Sequence, residues 1–179
     1  MPITRSDKEP ELLQFTDKTV IQNPRFFYKI YEGYGYAASH RFEGVADDAT
    51  GEIYLENPSG SGKEIFIVAI DVISTGQGWV DIYRDNTVIA SGTAITPVNL
   101  NFEKAYASVA SVEHSGTYTT GDQVHGSVVP GGARVRAVGG AAEVGESVVV
   151  PEDYNFLIRV TNKSGSAADM SIRILWWED

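Results

Sequence analysis

The chain has 179 residues, a formal net charge of −10 and no cysteine. This length suffices for one domain with a hydrophobic core. The lack of cysteine excludes disulfides and thiolate metal sites, and the negative charge opposes binding to nucleic-acid backbones. No apolar run reaches the roughly 20 residues of a membrane helix, and the N-terminus lacks the apolar region of a secretory signal. We therefore expect a protein made in the cytoplasm, with no nucleic-acid or membrane partner.

Residues 1–38 differ in composition from the remainder and predict an extended N-terminal arm. Prolines and mixed charges come first, and an aromatic cluster follows, interrupted by two glycines. Aromatic side chains bury large areas at low entropic cost, so the cluster packs either on its own domain or across a neighbouring subunit. Both alternatives remain open at this point. The residues predicted to form an interface are Phe26, Phe27, Tyr28, Tyr31, Tyr34 and Tyr36, together with Trp177.

Residues 39–179 show the short alternating segments and frequent turns of an all-β domain. The segment from residue 64 to residue 74 is apolar on both faces, one of which is formed by Phe66, Val68, Ile70 and Val72. A strand of this kind is covered on both sides, and the arm is the nearest segment able to cover the outer one. Further predicted strands span residues 52–56, 79–85, 87–90, 107–114, 117–120, 123–129, 133–138, 146–150 and 154–161, with a last one at the C-terminus.

About eight to ten strands with no sustained helical pattern indicate a β-sandwich of jelly-roll type rather than a βαβ fold. The absence of an internal repeat or a low-complexity linker favours one sandwich domain, residues 39–179, preceded by the arm. In the loop before residue 102, Asn99 and Asn101 are typical of side chains that hydrogen-bond the local backbone.

Two local patterns invite a cofactor or metal interpretation, and both are weak. The segment Gly60–Lys63 resembles part of a phosphate-binding loop, but a strong β pattern follows instead of a helix, so a turn is the better interpretation. His114 and His125 would approach each other across a hairpin and, with Asp122 or Glu113, offer metal ligands, although the spacing matches no common metal motif. We expect no cofactor and no metal.

The carboxylates do not predict catalysis. A glycosidase needs two of them held about 5 to 10 Å apart in a cleft, which the sequence does not indicate. Asp71 interrupts an apolar face, and a structural ion pair with Arg84 or Arg173 explains it best. Neither a serine-nucleophile motif nor a cysteine is present. We therefore expect a protein that is not an enzyme.

The tryptophans suggest a different kind of surface. Trp176 and Trp177 are neighbours in the last strand, so one points into the core and the other points outside. Exposed aromatic rings stack on sugars or anchor protein contacts, and the alternative, which stays open, is that these rings only cap the end of the barrel. Trp79, Trp177 and Tyr118 are therefore candidate platforms for a surface glycan.

Four segments in this order carry a resemblance to a known group of proteins. They are LENPSGSGKEIFI (55–67), GWVDIYRD (78–85), SGTAITPVNLN (91–101) and RILWWED (173–179). Together they resemble small virion-associated proteins of tailed bacteriophages and related archaeal viruses, over roughly residues 50–179. The resemblance implies a jelly-roll-like β-sandwich that oligomerises and coats a capsid or tail, and it supplies no catalytic residues.

The leading hypothesis is thus a virion structural protein, a capsid decoration (cement) or vertex protein that forms a trimer or pentamer. Its partners would be the major capsid protein or other virion proteins, and its location the virion. The alternative is a carbohydrate- or receptor-binding module of a tail or head fibre. A glycan hydrolase ranks third, because it would require two convergent carboxylates.

Overall fold

The computed structural model describes residues 25–104, 106–131 and 148–179, together with the backbone of four short strands in the remaining segments. The described residues contain one helix, α1 (Arg25–Glu32). The strands are β1 (Thr4–Arg5), β2 (Leu12–Gln14), β3 (Val20–Gln22), β4 (Gly35–Val45), β5 (Thr50–Asn57), β6 (Ile65–Ser74), β7 (Gly78–Arg84), β8 (Thr87–Ala90), β9 (Thr93–Ala94), β10 (Val98–Asn99), β11 (Ser111–His114), β12 (Thr117–Thr119), β13 (Asp122–Val129), β14 (Arg136–Ala137), β15 (Val148–Val150), β16 (Tyr154–Asn162) and β17 (Ala168–Glu178).

Two antiparallel sheets form the body of the protein. The first sheet has the order β10-β4-β17-β6-β14, and β15 also pairs with β6. The second sheet has the order β13-β7-β16-β5-β11-β9. Strands β8 and β12 form a separate hairpin-like pair, and β1, β2 and β3 form a small antiparallel sheet.

The order of the eight principal strands is that of a jelly roll. Counted along the chain as β4, β5, β6, β7, β13, β14 with β15, β16 and β17, they give the order 1-8-3-6 in the first sheet. The same count gives 2-7-4-5 in the second sheet. The chain therefore crosses repeatedly between the sheets as two interlocked Greek keys, which confirms the predicted all-β sandwich.

The core lies between the two sheets and is filled by the inward side chains of alternating positions. Its largest fully buried members are Trp176, Tyr36 and Phe156. The Tyr36 ring lies 6.0 Å from the Trp176 ring, and its hydroxyl donates to the Ala107 carbonyl at 3.3 Å. This bond gives the one polar atom of the Tyr36 side chain a partner, as burial requires.

A β-bulge in β6 changes which of its residues face the core. In the pairing of β17 with β6, Leu175 lies opposite Ala69 and Trp176 opposite Ile67, which leaves Val68 as the extra residue. One extra residue reverses the alternation of side chains along a strand. The buried residues of β6 are consequently Ile65, Ile67, Ile70, Val72 and Ser74.

The prediction that Phe66, Val68, Ile70 and Val72 share one face was therefore wrong. It assumed an uninterrupted period of two, whereas the bulge at Val68 moves the inward positions from odd to even numbers. Phe66 lies on the outer side of the first sheet, where its ring stacks on Trp177.

Helix α1 replaces extended backbone in the aromatic part of the predicted arm. It ends in a Schellman motif, in which the Tyr34 amide donates to the Lys29 carbonyl at 2.8 Å and the Gly33 amide to the Ile30 carbonyl at 2.9 Å. Gly33 has a φ of 95°, a conformation that glycine adopts without steric cost. The sequence shows no sustained helical pattern here, because a helix of only eight residues depends on tertiary packing rather than on its own propensity.

The first sandwich strand begins at Gly35, so residues 35–38, assigned to the arm by composition, belong to β4. Most of residues 1–24, and much of the predicted strands at 133–138 and 146–150, lie outside the described residues. Among the residues that are described, no helix is both long and apolar enough to cross a membrane.

Candidate functional site

The aromatic residues of α1 divide between the surface and the sheet. Phe27 and Tyr31 are one helical turn apart on the outward side and are 61% and 74% exposed. Phe26 and Tyr28 are partly buried, as is Tyr34 after the helix. Of the residues predicted to form an interface, Phe27 and Tyr31 are therefore the two that present most of their side chains to solvent.

Tyr36 and Trp177 have no such exposure. Tyr36 is completely buried in the core, and Trp177 is only 4% exposed. The expectation that one of the two terminal tryptophans is exposed to solvent was wrong. Trp177 does point to the outer side of the first sheet, as the alternation requires, but Phe66 lies flat against it with ring centroids 3.8 Å apart. Neither side chain is available to a partner in this conformation.

Charged groups hold α1 over this pair of rings. The Arg25 guanidinium lies 4.5 Å from the centroid of Trp177, and Arg25 also bonds the Asp179 carboxylate at 2.8 Å. Lys29 Nζ lies 2.6 Å from the other Asp179 oxygen, and this hydrogen bond is the main reason that the pKa of Asp179 is lowered. Thus α1 is fixed on its own chain by cation–π and ionic contacts at the end of β17.

The loop that follows β10 completes the surface beside α1. Strand β10 pairs with the edge of β4, and the loop that follows it is tied to the end of the helix. Asn99 Nδ2 donates to the Gly33 carbonyl at 2.7 Å and to the Tyr106 carbonyl at 3.1 Å. Asn101 Nδ2 donates to the Tyr31 carbonyl at 2.9 Å.

The two asparagines also bond their own backbone, as the sequence predicts. The Asn101 amide donates to Asn99 Oδ1 at 2.9 Å, and the Glu103 amide donates to Asn101 Oδ1 at 3.1 Å. Each asparagine therefore fixes the local turn with its oxygen and the helix end with its amino group. Their tertiary role, which holds the loop against α1, was not evident from the sequence.

This arrangement brings four exposed aromatic side chains to one end of the sandwich. Phe102 is 90% exposed and Tyr106 is 50% exposed, and the Tyr106 ring stacks on Tyr34 with centroids 5.5 Å apart. We call Phe27, Tyr31, Phe102 and Tyr106 the aromatic surface. The last two were missed in the sequence, where they stand singly in a polar loop.

The histidine pair that the sequence left possible, His114 with His125, is not brought together in the structure. His114 stacks on His40, with ring centroids 3.5 Å apart, while His125 is exposed on β13. His125 lies on β13 and His114 on β11, with three strands of the second sheet between them, so the two side chains do not approach each other across a hairpin. Within residues 25–104, 106–131 and 148–179, no group of three or more histidine, aspartate or glutamate side chains is placed to hold a metal ion.

The glycine-rich segment at residues 60–63 forms a turn, as predicted. Gly60 and Gly62 both have positive φ, and both of their amides donate to the Glu152 carboxylate, the Gly62 amide at 3.1 Å. The amides that would receive a phosphate thus already have an anionic partner within the chain. Asp71 accepts a hydrogen bond from Arg173 Nε at 2.8 Å, which confirms one of the two ion pairs suggested for it.

The three predicted glycan platforms differ in their exposure to solvent. Trp79 is 48% exposed on the outer side of the second sheet. Tyr118 is buried because its ring stacks on Tyr54, with centroids 4.9 Å apart and planes 9° from parallel. Since Trp177 is also buried, Trp79 is the one of the three that a ligand can reach.

No protein-family model matches the chain, and no curated protein matches it significantly in sequence. Two surfaces of the molecule are therefore the candidates for a function, namely the aromatic surface and the outer face around Trp79.

Proposed function

We propose that the protein is a structural subunit of a virion, a capsid decoration or vertex protein that acts through adhesion rather than catalysis. The single observation that carries the proposal is the aromatic surface. Four aromatic side chains, each at least half exposed, stand on α1 and on the loop that Asn99 and Asn101 tie to it, and apolar side chains grouped in this way mark interaction sites.

The energetics favour a protein partner for this surface. Burial of a large apolar side chain contributes about 1.5–3 kcal/mol, although association consumes part of the gain. Rings of Tyr and Phe near the centre of a contact are typical anchors in protein interfaces. Loop and helix are held together by Asn99 and Asn101, so little ordering is needed when a partner binds.

The remainder of the chain suits a repeated role on a shell. A jelly roll offers a rigid body built from two packed sheets, and a net charge of −10 keeps an exposed surface soluble at high copy number. Weak contacts repeated over a symmetric shell add up through multivalency. The resemblance of residues 50–179 to virion-associated proteins gives the setting, with copies of the chain and the major capsid protein as partners.

The first experiment measures mass by light scattering for the wild-type chain and for the double variant Tyr31→Ser, Phe102→Ser. We expect the wild type to form a trimer or pentamer and the variant to be shifted towards monomer. The matched control is Tyr154→Ser, since Tyr154 is 50% exposed but lies at the start of β16. A wild-type chain that stays monomeric at a concentration of about 100 µM would contradict self-association.

The role of the arm needs a truncation that leaves the sandwich intact. Removal of residues 1–38 would delete α1 and the first four residues of β4, so its effect would mix unfolding with lost contacts. Removal of residues 1–24 spares both elements. Cryo-electron microscopy of assembled particles then tests the virion setting directly, because a decoration protein appears at a fixed copy number on the shell.

A further inference from the structure

The outer face of the second sheet is covered over only part of its area. The pair β8 and β12 lies over one end, where Tyr118 stacks on Tyr54 and packs beside Leu157. Among the described residues, no strand lies over the opposite end of the same face, and Trp79 is the largest exposed side chain there. The β8–β12 pair therefore forms a wall at one side of an open strip.

Two cross-strand rows make up this open strip. The register places Val128, Trp79, Thr161 and Thr50 opposite one another on β13, β7, β16 and β5. The next row towards the wall, formed in the same way, contains Gly126, Asp81, Arg159 and Glu52. Residues two apart on a strand are about 7 Å apart, so the two rows are adjacent on the face.

The second row is polar, and its members are held in place. Arg159 Nε bonds the Glu52 carboxylate, which is only 8% exposed, and the Arg159 guanidinium also lies 5.5 Å from the centroid of Tyr83. Gln123 Nε2 donates to Asp81 Oδ1 at 2.8 Å. Planar carboxylate, guanidinium and carboxamide groups therefore lie in a fixed arrangement beside an exposed indole ring.

Gly126 stands at the β13 end of this row and, having no side chain, does not cover the neighbouring polar groups. A methyl group in its place would approach Gln123 Nε2 to 2.7 Å and Asp81 Oδ1 to 3.3 Å. Any side chain at this position would press on the bond between Gln123 and Asp81. The glycine thus leaves both the carboxamide and the carboxylate accessible from the side of β13.

We propose that this open strip is a binding site for a neutral saccharide, with the Trp79 ring as the stacking platform. A sugar ring has an apolar face and a rim of hydroxyl groups. An indole suits the apolar face, while carboxylate, guanidinium and carboxamide groups are the donors and acceptors that orient hydroxyls. The site is separate from the aromatic surface and does not depend on it.

The charges explain why the saccharide is neutral. Arg159 is paired with Glu52, and Lys163 Nζ, which lies 4.5 Å from the Trp79 centroid, is paired with Asp48. Asp81 then adds a negative charge to two balanced pairs. An acidic sugar would meet this charge and the overall net charge of −10, both of which oppose its approach.

The test is a titration followed through the indole N–H signals in two-dimensional NMR spectra. The probes are methyl glycosides of neutral hexoses and N-acetylhexosamines, their disaccharides, and an N-acetylneuraminic acid glycoside as the acidic comparison. We expect at least one neutral sugar to shift the Trp79 signal with a dissociation constant on the order of 1 mM. The signals of Trp176 and Trp177, which are buried, should stay unchanged.

Two variants test the assignment of the site. Trp79→Ala and Asp81→Ala should each weaken binding about 10-fold or more, read by ligand-observed NMR, with an unchanged melting temperature. Phe102→Ala, which removes an exposed ring of the aromatic surface, should bind the sugar as the wild type does. The proposal is overturned if no neutral sugar binds, if only the acidic glycoside binds, or if binding survives in Trp79→Ala.

Discussion

His40 lies face to face with His114 and so joins the two sheets of the sandwich. The two ring centroids are 3.5 Å apart and the planes are 15° from parallel. His40 belongs to β4 in the first sheet and His114 to β11 in the second. Phe42 meets both rings edge-on. Three aromatic rings thus close the sandwich at this edge, and two of them are imidazoles.

We expect acid to weaken this closure. Burial, and secondarily the nearby His114, lower the pKa of His40 below its ordinary value of 6.5. The unfolded chain then takes up a proton at His40 before the folded chain does, so stability is complete at higher pH. It falls as pH decreases through 6.5 towards the lowered pKa of the folded state.

Denaturant unfolding at about pH 8 and about pH 5 measures this effect. The control is His40→Gln, which keeps a planar polar side chain but cannot take up the proton. The difference in unfolding free energy between the two pH values should be smaller in the variant. An equal difference in both proteins would show that His40 does not cause the loss.

Gly33→Ala should destabilise the protein by about 1–2 kcal/mol or more. Gly33 has a φ of 95°, and an added methyl would lie 2.8 Å from both Lys104 Cβ and the Tyr106 ring. The substitution therefore strains the end of α1 and also pushes the loop that carries half of the aromatic surface. Chemical denaturation gives the loss of free energy.

Gly44→Ala is the matched control for that substitution. Gly44 has a φ of 61°, and a methyl there has nothing within 4 Å. The loss of stability in Gly44→Ala therefore comes only from the positive φ of the backbone, with no steric clash of the added methyl group. A Gly33→Ala variant no less stable than Gly44→Ala would contradict the view that the helix end and the loop at residues 98–106 are packed closely.

Much of the fold was predictable because the strands follow simple rules. Alternation and turn residues located β5, β7, β13 and β16 to within a few residues. Other features depend on tertiary contacts that no local pattern encodes. The bulge at Val68 is visible only when β17 is placed opposite β6, and α1 is stabilised by Trp177 and Asp179 at the other end of the sequence.

The candidate surfaces likewise combine residues that a local sequence pattern predicts with residues that only tertiary contacts bring into place. Phe27 and Tyr31 stand in an aromatic cluster and could be predicted, whereas Phe102 and Tyr106 become part of the same surface only through the bonds of Asn99 and Asn101 to α1. Alternation correctly placed Trp177 on the outer face of its strand. Its burial could not be predicted, because the ring that covers it comes from another strand.

The buried carboxylate of Glu178 supports a further prediction. It is fully buried, and it accepts hydrogen bonds from Trp176 Nε1 at 3.3 Å, from the Val109 amide at 3.1 Å and from the Ser108 hydroxyl. Lys63 Nζ lies 3.5 Å from its other oxygen. One acidic side chain thus connects the core tryptophan to the loop that leads into β11.

Glu178→Gln should reduce the free energy of unfolding by about 2–4 kcal/mol. The glutamine amide lacks the negative charge that attracts Lys63. Its nitrogen can only donate hydrogen bonds, whereas the groups around it are themselves donors. Chemical denaturation measures the loss. Glu56→Gln is the control, since Glu56 lies in the neighbouring sheet and is partly exposed. Equal losses in the two variants would argue against a specific role for the Glu178 network.

Asp179→Asn should loosen α1 while leaving the sandwich intact. The variant removes the ionic bonds to Arg25 and Lys29, but not the stacking of Arg25 on Trp177. Because the Asp179 side chain is 45% exposed, solvent screens these pairs, and the global loss should stay below about 1 kcal/mol. The local effect is larger, because α1 has no buried residue of its own to hold it.

Hydrogen exchange separates the local effect from the global one. Amides of α1 should exchange several-fold faster in Asp179→Asn, whereas those of β16 in the second sheet should keep the wild-type rate. Added salt should bring the wild-type α1 rates towards those of the variant, because ionic contacts at a half-exposed carboxylate are screened. Uniform acceleration across both elements would instead mean that Asp179 stabilises the whole sandwich and that α1 is not a separately docked unit.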